Sequence, residues 1–454
     1  MRKLISTIVL ALAGALCAAA PAAASSSAEA PAYVPGEVIV GLEGGGERLL
    51  ELPASVPVGE AASSLRGNPG VAYALPNYIA RASSAPNDPG LGTAAGDWRR
   101  TQWNFLPCGS LCTLGSPPAS SGAFEARGGI NAVGAWEILK QRRAALGKGA
   151  KVAVLDTGVA FRSKRPGFLR SPDFTPKQFA PGFDFVKKND MPLDRDGHGT
   201  HVAGTIAERT GNGFGLTGLV PRAKLIPVRV LDANGLGNAR DIAAGIRFAA
   251  KQGADVINMS FEFALSVDSC AKIKSVCSAI KFAAKRGSAL VSAAGNSTGE
   301  PTAFPAGAPK VIGVGRTTKD ACLAAASRTG AGLDLVAPGG GLPATPSCGS
   351  DDALFSRGAP ILQLTFSGAG FRSFGYPGFY EGTSMSAAHV SGVAAMIAAS
   401  RVLGPNPSPA AIECQLEATA RKNSATLGQS YDPRLFGAGL LDAAAAVTSR
   451  APGC

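Results

Sequence analysis

From residue 150 onward the chain repeats one pattern. Short apolar runs, KVAVLD, AKLIPVRVL, ADVINMSF, SALVSAAG, KVIGVG and LDLVAP, are separated by segments such as RDIAAGIRFAAKQG and KIKSVCSAIKFAAKRG, whose apolar residues recur at helical spacing. A strand exposed on one face alternates apolar with polar residues, whereas near-continuous Val, Ile and Leu require burial on both faces. Strands of that kind alternating with amphipathic helices predict an α/β fold, a parallel sheet between two helical layers. In such folds the chemistry sits beyond the carboxyl ends of the strands.

Three of these regions carry polar residues that a core does not require. KVAVLDTG carries Asp156 at the end of its apolar run, and SALVSAAGNS carries Asn296 just past its own. DGHGTHVAGTIA places His198 and His201, two of the three histidines in the chain, in a Gly-rich entry to a helix. Taken alone, the Asp and the Asn are ordinary turn formers. The His-x-x-His spacing is one residue short of the metalloprotease pattern and lacks its Glu. The stretch EGTSMSAAHVSG then puts Ser384 at the mouth of a helix built almost wholly from small residues. There the free N–H groups and the positive end of the helix dipole favour a nearby oxyanion. Together the four residues supply a carboxylate to orient an imidazole, an imidazole to take a proton, a serine to attack and an amide to hold the resulting oxyanion.

The rest of the chain bounds the setting. Arg2 and Lys3 precede an apolar run that ends in Ala22-Ala23-Ala24, the layout of a secretory signal peptide over 1–24. No later stretch is apolar enough to span a bilayer. Pro31 to Arg81 reads as a small segment with strands at GEVIVGL and RLLEL, a short helix at SSLRG and a strand at VAYALPNYI, followed by a Ser/Pro/Asn break and a loop-rich, Trp-bearing stretch. The net charge of +12 is spread singly or in pairs, with no basic helix or aromatic-interleaved patch, which argues against nucleic acid as a partner. Removal of Cys17 with the leader leaves Cys108, Cys112, Cys270, Cys277, Cys322, Cys348, Cys414 and Cys454, an even number that favours disulfides in an exported chain. Their spacing suggests sequential pairing. One continuous helix would hold Cys270 and Cys277 about 10 Å apart, too far for a bond. A bonded pair therefore requires the helix to begin after Cys270.

The motifs VAVLDTG, DGHGTHVAGT, LTGLVPRAKLIPVRVLDANGLG, DVINMSF, AAGNS and EGTSMSAAHVSG, in this order, resemble those of the subtilisin-like serine proteases. The resemblance implies that Asp156 is the orienting aspartate, His198 the general base, Ser384 the nucleophile and Asn296 the oxyanion donor, with His201 and His389 in packing roles. It also implies that Gly235, Leu236 and Gly237, with Ser260, Phe261, Glu262 and Phe263, bind substrate as two neighbouring strands. Glu262 and Phe263 stand where relatives carry small glycines, so the pocket should be altered, with aromatic residues accepted less well. VPGEVIV and LRGNPGVAYALPNY resemble a propeptide, an inhibitor-like α+β domain over 31–81, too short before SSLRG for its usual first helix. Residues 82–129 then form a linker and N-terminal extension, and 130–454 the catalytic domain. Two further departures are Ala388, where Pro is usual after the serine, and a long insertion bearing Cys348.

The chemistry so implied needs no cofactor. The loop ERTGNGFGLTG, Glu208 to Gly218, resembles one that binds calcium in many relatives, with Asn212 at a ligand position and Gly211 and Gly213 offering backbone oxygens; the sequence does not decide between that and a plain Gly-rich turn. The expectation is a secreted endopeptidase, extracellular or periplasmic, made as a monomeric self-processing proenzyme. Its partners are protein or peptide substrates and its own propeptide. The alternative, a catalytically silent binding module that kept the fold, is disfavoured because all four reacting groups are present. An esterase of the unrelated hydrolase fold would need a Gly-x-Ser-x-Gly elbow and a usable histidine after the serine.

Overall fold

The computed structural model describes residues 33–78, 86–109 and 124–454, apart from 143, 145, 165, 346–347, 349–357, 369, 425–426 and 428. The signal peptide expected over 1–24 and Cys112 lie outside the described residues. The chain divides into two compact units with the boundary between residues 83 and 84.

In the smaller unit, strands β1 (Tyr33–Leu42) and β2 (Glu47–Glu51), helix α1 (Val58–Arg66) and strand β3 (Val71–Tyr78) form an antiparallel sheet of order β2-β1-β3 with one helix against it. Val58, Ala61, Ala62 and Leu65 of α1 are buried at i, i+3, i+4 and i+7. They meet Val38 and Val40, the alternate residues of β1 that face the helix. A strand, β2, stands where the sequence is too short for a first helix.

The larger unit is built on a seven-stranded parallel sheet. Its elements are α2 (Ala132–Gln141), β4 (Lys151–Asp156), β5 (Phe183–Asp184), α3 (His198–Ala207), β6 (Lys224–Arg229), α4 (Ala239–Lys251), β7 (Val256–Met259), α5 (Lys274–Lys285), β8 (Ala289–Ala293), β9 (Val311–Thr317) and β10 (Leu335–Pro338). After a small hairpin, β11 (Thr365–Phe366) and β12 (Phe374–Gly375), come α6 (Thr383–Ser400), α7 (Pro409–Thr419), α8 (Pro433–Phe436) and α9 (Ala443–Thr448). The sheet order is β10-β9-β8-β7-β4-β6-β5. Val152 and Val154 of β4 join the apolar layer that includes α3 and α6, whereas Ala153 and Leu155 join the layer that includes α4 and α5. Both faces are therefore covered, as the unbroken apolar runs require.

After β4 the chain places β5 and then β6 on one side and later returns to place β7 on the other, so the strand order reverses at β4. Such a switch point opens a crevice at the carboxyl end of the strands. Asp156 is the last residue of β4.

The Trp-bearing stretch, which reads as loop, lies in the core of this unit. Trp98 and Phe105 are fully buried, and both meet the Trp136 ring edge-on at 5.8 and 6.0 Å. The indole N–H groups of Trp98, Trp103 and Trp136 donate to the carbonyls of Pro86, Pro360 and Leu219, each at 3.0 Å, which lets these large rings be buried without an orphaned donor.

Disulfides join Cys270 to Cys277, Cys322 to Cys348 and Cys414 to Cys454. Cys108 is also disulfide-bonded. Helix α5 starts at Lys274, beyond Cys270, and the bonded Cα atoms lie 5.6 Å apart. The Cys414–Cys454 bond fastens the last residue to α7 across a separation of 40 residues. The chain-entropy relation gives about 4 kcal/mol for closing such a loop. Replacing both cysteines by Ala should lower the unfolding free energy by about 2–4 kcal/mol in denaturant titration. An unchanged midpoint would show that the bond constrains nothing.

Candidate active site

At the end of β4, Asp156 is fully buried. Its Oδ1 accepts from the Thr157 N–H at 2.7 Å and from His198 Nδ1 at 2.8 Å. In the neutral imidazole that bond fixes the proton on Nδ1 and leaves the lone pair on Nε2, and the side chain retains 24% exposure. His198 opens α3, and the turn before it is set by a second buried carboxylate. Asp194 accepts from the backbone N–H groups of Asp196, Gly197 and Thr200 at 2.9–3.0 Å and from the hydroxyls of Thr157 and Thr200 at 2.8 and 2.5 Å. Burial disfavours the charged imidazole, but the charge and hydrogen bond of Asp156, with the charges of Asp196 and Asp194, outweigh it and raise the His198 pKa to about 9.

Ser384 is the second residue of α6 and only 7% exposed. Its hydroxyl donates to the Ser260 carbonyl at 3.1 Å rather than to His198. A buried chain of polar contacts anchors this turn to β7. Ser391 Oγ donates to Asn258 Oδ1, Asn258 Nδ2 to Ser260 Oγ, and Ser260 Oγ to the Ser384 carbonyl, each at 2.9 Å. Across the turn, the Thr383 N–H and hydroxyl donate to Asn296 Oδ1 at 2.8 and 3.1 Å. With its oxygen held, the Asn296 amide keeps its N–H groups for another acceptor. Gly382 makes this approach workable, because at its φ of 149° an added Cβ would lie 3.1 Å from Asn296 Oδ1.

One cavity of about 280 Å³ brings these groups together, lined by His198, Ser384 and Asn296 and by Gly235, Ser260, Phe261 and Glu262. Leu236, Gly237 and Phe263 do not line it. The two segments expected to be neighbouring strands are not strands here: β7 ends at Met259, and Gly235 lies in a turn in which Asp232 accepts from the Asn234 and Leu236 N–H groups. Phe263 packs instead against the apolar layer of α4 and α5. His201 stacks on Tyr380 at 4.2 Å and His389 contacts Asn104 at 2.8 Å, and burial lowers their pKa values to about 3 and about 4. Both are neutral packing groups. Asn258 and Thr383 escaped sequence reading because their partners Ser391 and Asn296 are distant in the chain, and Asp194 because its mostly local turn bonds look like those of any turn-forming Asp.

The loop after α3, Glu208 to Gly218, is held by carboxylates from elsewhere in the chain. Its Gly211 and Asn212 N–H groups point at Asp88, at 2.8 and 3.0 Å, and Asn212 Nδ2 donates to Asp173 Oδ1 at 2.7 Å. Three fully buried carboxylates, Asp88, Asp173 and Glu208, interact here, and Asp173 Oδ2 and both Glu208 oxygens have no hydrogen-bond partner among the described residues. Burial, with the Asp88 charge, raises the Asp173 pKa to about 7, and burial with the Asp173 charge raises that of Glu208. Orphaned hard oxygens of this kind fit a hard cation. A second acidic group, Asp334, Glu413 and Glu417, is only half buried.

A buried carboxylate, an imidazole and a helix-borne serine at the switch point of a parallel sheet define a serine hydrolase. The match of residues 147–439 to the family described as the Subtilase family, Peptidase_S8, shows that the chain belongs to that family and is a serine endopeptidase. It is similar to the "Thermophilic serine proteinase" of Bacillus sp. (strain AK1), 31% identical over 82% of this chain and 79% of that one. It is also similar to "Subtilisin Savinase" of Lederbergia lenta, 34% identical over 67% and 93% of the two chains. Among solved structures, a protease from Pseudoalteromonas arctica PAMC 21717 superposes with a TM-score of 0.59, at 30% identity over 80% of this chain and 98% of that one.

A general base works only when neutral, so the raised His198 pKa places its working range above about pH 9. For an uncharged substrate, kcat/KM should climb about tenfold per pH unit on the acidic limb and level off beyond pH ~9. A profile that is flat from neutral pH upward would contradict this electrostatic reading.

Proposed function

We propose that this endopeptidase cleaves peptide bonds through an acyl-enzyme on Ser384. The observation that carries the reading is the cavity shared by His198, Ser384 and Asn296, with Asp156 bonded to His198 from behind. Ser384 Oγ exchanges the Ser260 carbonyl for His198 Nε2 by rotation about its Cα–Cβ bond. It then attacks the substrate carbonyl while His198 takes the hydroxyl proton. The oxyanion is held by Asn296 Nδ2 and by the Ser384 N–H, which has no acceptor within the helix. Collapse breaks the C–N bond, and the leaving amine takes the proton from His198. Water, deprotonated by the same imidazole, then releases the acid and restores the serine. The chemistry needs no cofactor.

Export under a leader at 1–24, restraint by residues 31–81 as an intramolecular inhibitor, and self-cleavage between Ala80 and Pro89 complete the proposal. The secreted product acts on protein or peptide substrates as a monomer. The apolar leader with its Ala-rich end, the small β2-β1-β3 unit and the unit boundary between residues 83 and 84 support it. Asp88, Asp173 and Glu208, beside the Asn212 loop, would hold a structural calcium ion.

Ser384→Ala should abolish both casein cleavage and processing in a protease-deficient host, and an Ala variant that still matures would rule out self-cleavage. Asn296→Ala should lower kcat by about 10²–10³, a magnitude carried over from subtilisin itself. For the ion, calcium should raise the melting temperature and EDTA lower it, about 2.7 kcal/mol of stabilisation being expected at a hundredfold excess over Kd. The response should vanish in Asp173→Asn, and indifference of the parent protein to both reagents would remove the ion from the account.

A further inference from the structure

Beyond the strand end at Met259, residues 260–263 run past Ser384, and there a carboxylate enters the cleft. We propose that Glu262 makes the site selective for arginine or lysine as the residue on the acyl side of the cleaved bond. The inference rests on the reading of Ser384 as nucleophile and adds the substrate class to it.

Glu262 lines the same cavity as His198, Ser384 and Asn296. Its Oε1 accepts from the Asn296 N–H at 3.2 Å, and among the described residues no other hydrogen bond and no ion pair engages the carboxylate. Oε2 lies over bare backbone at Gly295, where an added Cβ would be only 2.5 Å away at a φ of +116°. The glycine is therefore what leaves room for the acid.

The guanidinium beside Gly295 makes its hydrogen bonds to other groups. Arg328 packs its Cδ beside Gly295, but its guanidinium donates to the Pro301 carbonyl at 2.5 Å, to Ser297 Oγ at 2.9 Å and to the Thr298 carbonyl at 3.4 Å. The remaining charged group of the cavity wall, besides His198, is a second carboxylate, Asp196.

With the cleft empty, Glu262 is exposed and water solvates it. A substrate side chain that fills the cavity strips that water away, and an acid left unpaired in a partly dry cleft is costly. Arginine or lysine removes the cost, an apolar side chain leaves it in place, and an acidic one adds repulsion. A flat aromatic ring also loses the ground that the carboxylate occupies.

The experiment uses matched chromogenic peptides that differ only at this residue, assayed on full-length, self-matured enzyme whose active sites are titrated with an organophosphonate. Arg and Lys peptides should exceed the Phe peptide in kcat/KM by about tenfold or more, the Glu peptide should be slowest, and added salt should narrow the gap. Glu262→Gln keeps an acceptor for the Asn296 N–H and removes only the charge, so the Arg-to-Phe ratio should fall to about one. Glu262→Lys should turn the preference toward Glu. A labelled enzyme that prefers Phe or Leu, or a ratio unmoved in Glu262→Gln, would overturn the proposal and leave the nucleophile standing. Failure of the organophosphonate to label Ser384 would overturn the nucleophile reading and this inference with it.

Discussion

Helix α6 has no solvent-facing side over its first four turns, and the rest of the larger unit is arranged around that constraint. Every residue from Thr383 to Ile397 is buried. A helix can cross an interior in this way only if its side chains are small enough for close approach on all faces and if each polar atom finds a partner. Ala, Ser and Gly meet the first condition. The second is met by Ser386 on the Ala337 carbonyl, Ser391 on Asn258 and His389 on the Met385 carbonyl. These contacts add to the local bonds of the first turn, so Ser384 is placed by packing along the helix as well as by Ser260 and Asn296 beside it.

Charge is arranged as economically as volume. Asp156 and Asp194 are both buried near His198, and they differ in how their oxygens are used. Asp194 spends its lone pairs on backbone and hydroxyl donors and so shapes a turn, whereas Asp156 directs Oδ1 at the imidazole and leaves Oδ2 without a partner among the described residues. Asp194 shapes the turn and adds only a smaller share of the charge felt by His198, whereas Asp156 acts on the imidazole by both charge and hydrogen bond. Their separation in role follows from hydrogen bonding and not from depth.

Much of this was legible in the sequence, and what was not had a physical cause. Unbroken apolar runs revealed the main strands because burial on both faces leaves a strong compositional mark, while β5, two residues long, leaves none. The stretch from Trp98 to Phe105 has no period, so it reads as loop, although its rings fill the core. The reacting groups were readable because each ends or begins a recognisable element. Gly235–Gly237 and Ser260–Phe263 were misread as strands because extended backbone without a ladder looks the same in sequence. The direction of Glu262 was undetermined until Gly295, more than thirty residues on, was placed beside it.

The contacts of the Trp-bearing stretch also bear on how the chain reaches its native state. Trp103 bonds to Pro360 across 257 residues, Asn104 meets His389 across 285, and Arg142 Nη1 donates to the Val447 carbonyl across 305. The residues that leave the ribosome early in the larger unit are thus completed by partners made 257–305 residues later. Loop-closure entropy has to be met before these contacts return any stability, which makes a parallel-sheet topology of this kind slow to form. The core of a chain so wired closes only once residues 360–447 have been made and are free to dock.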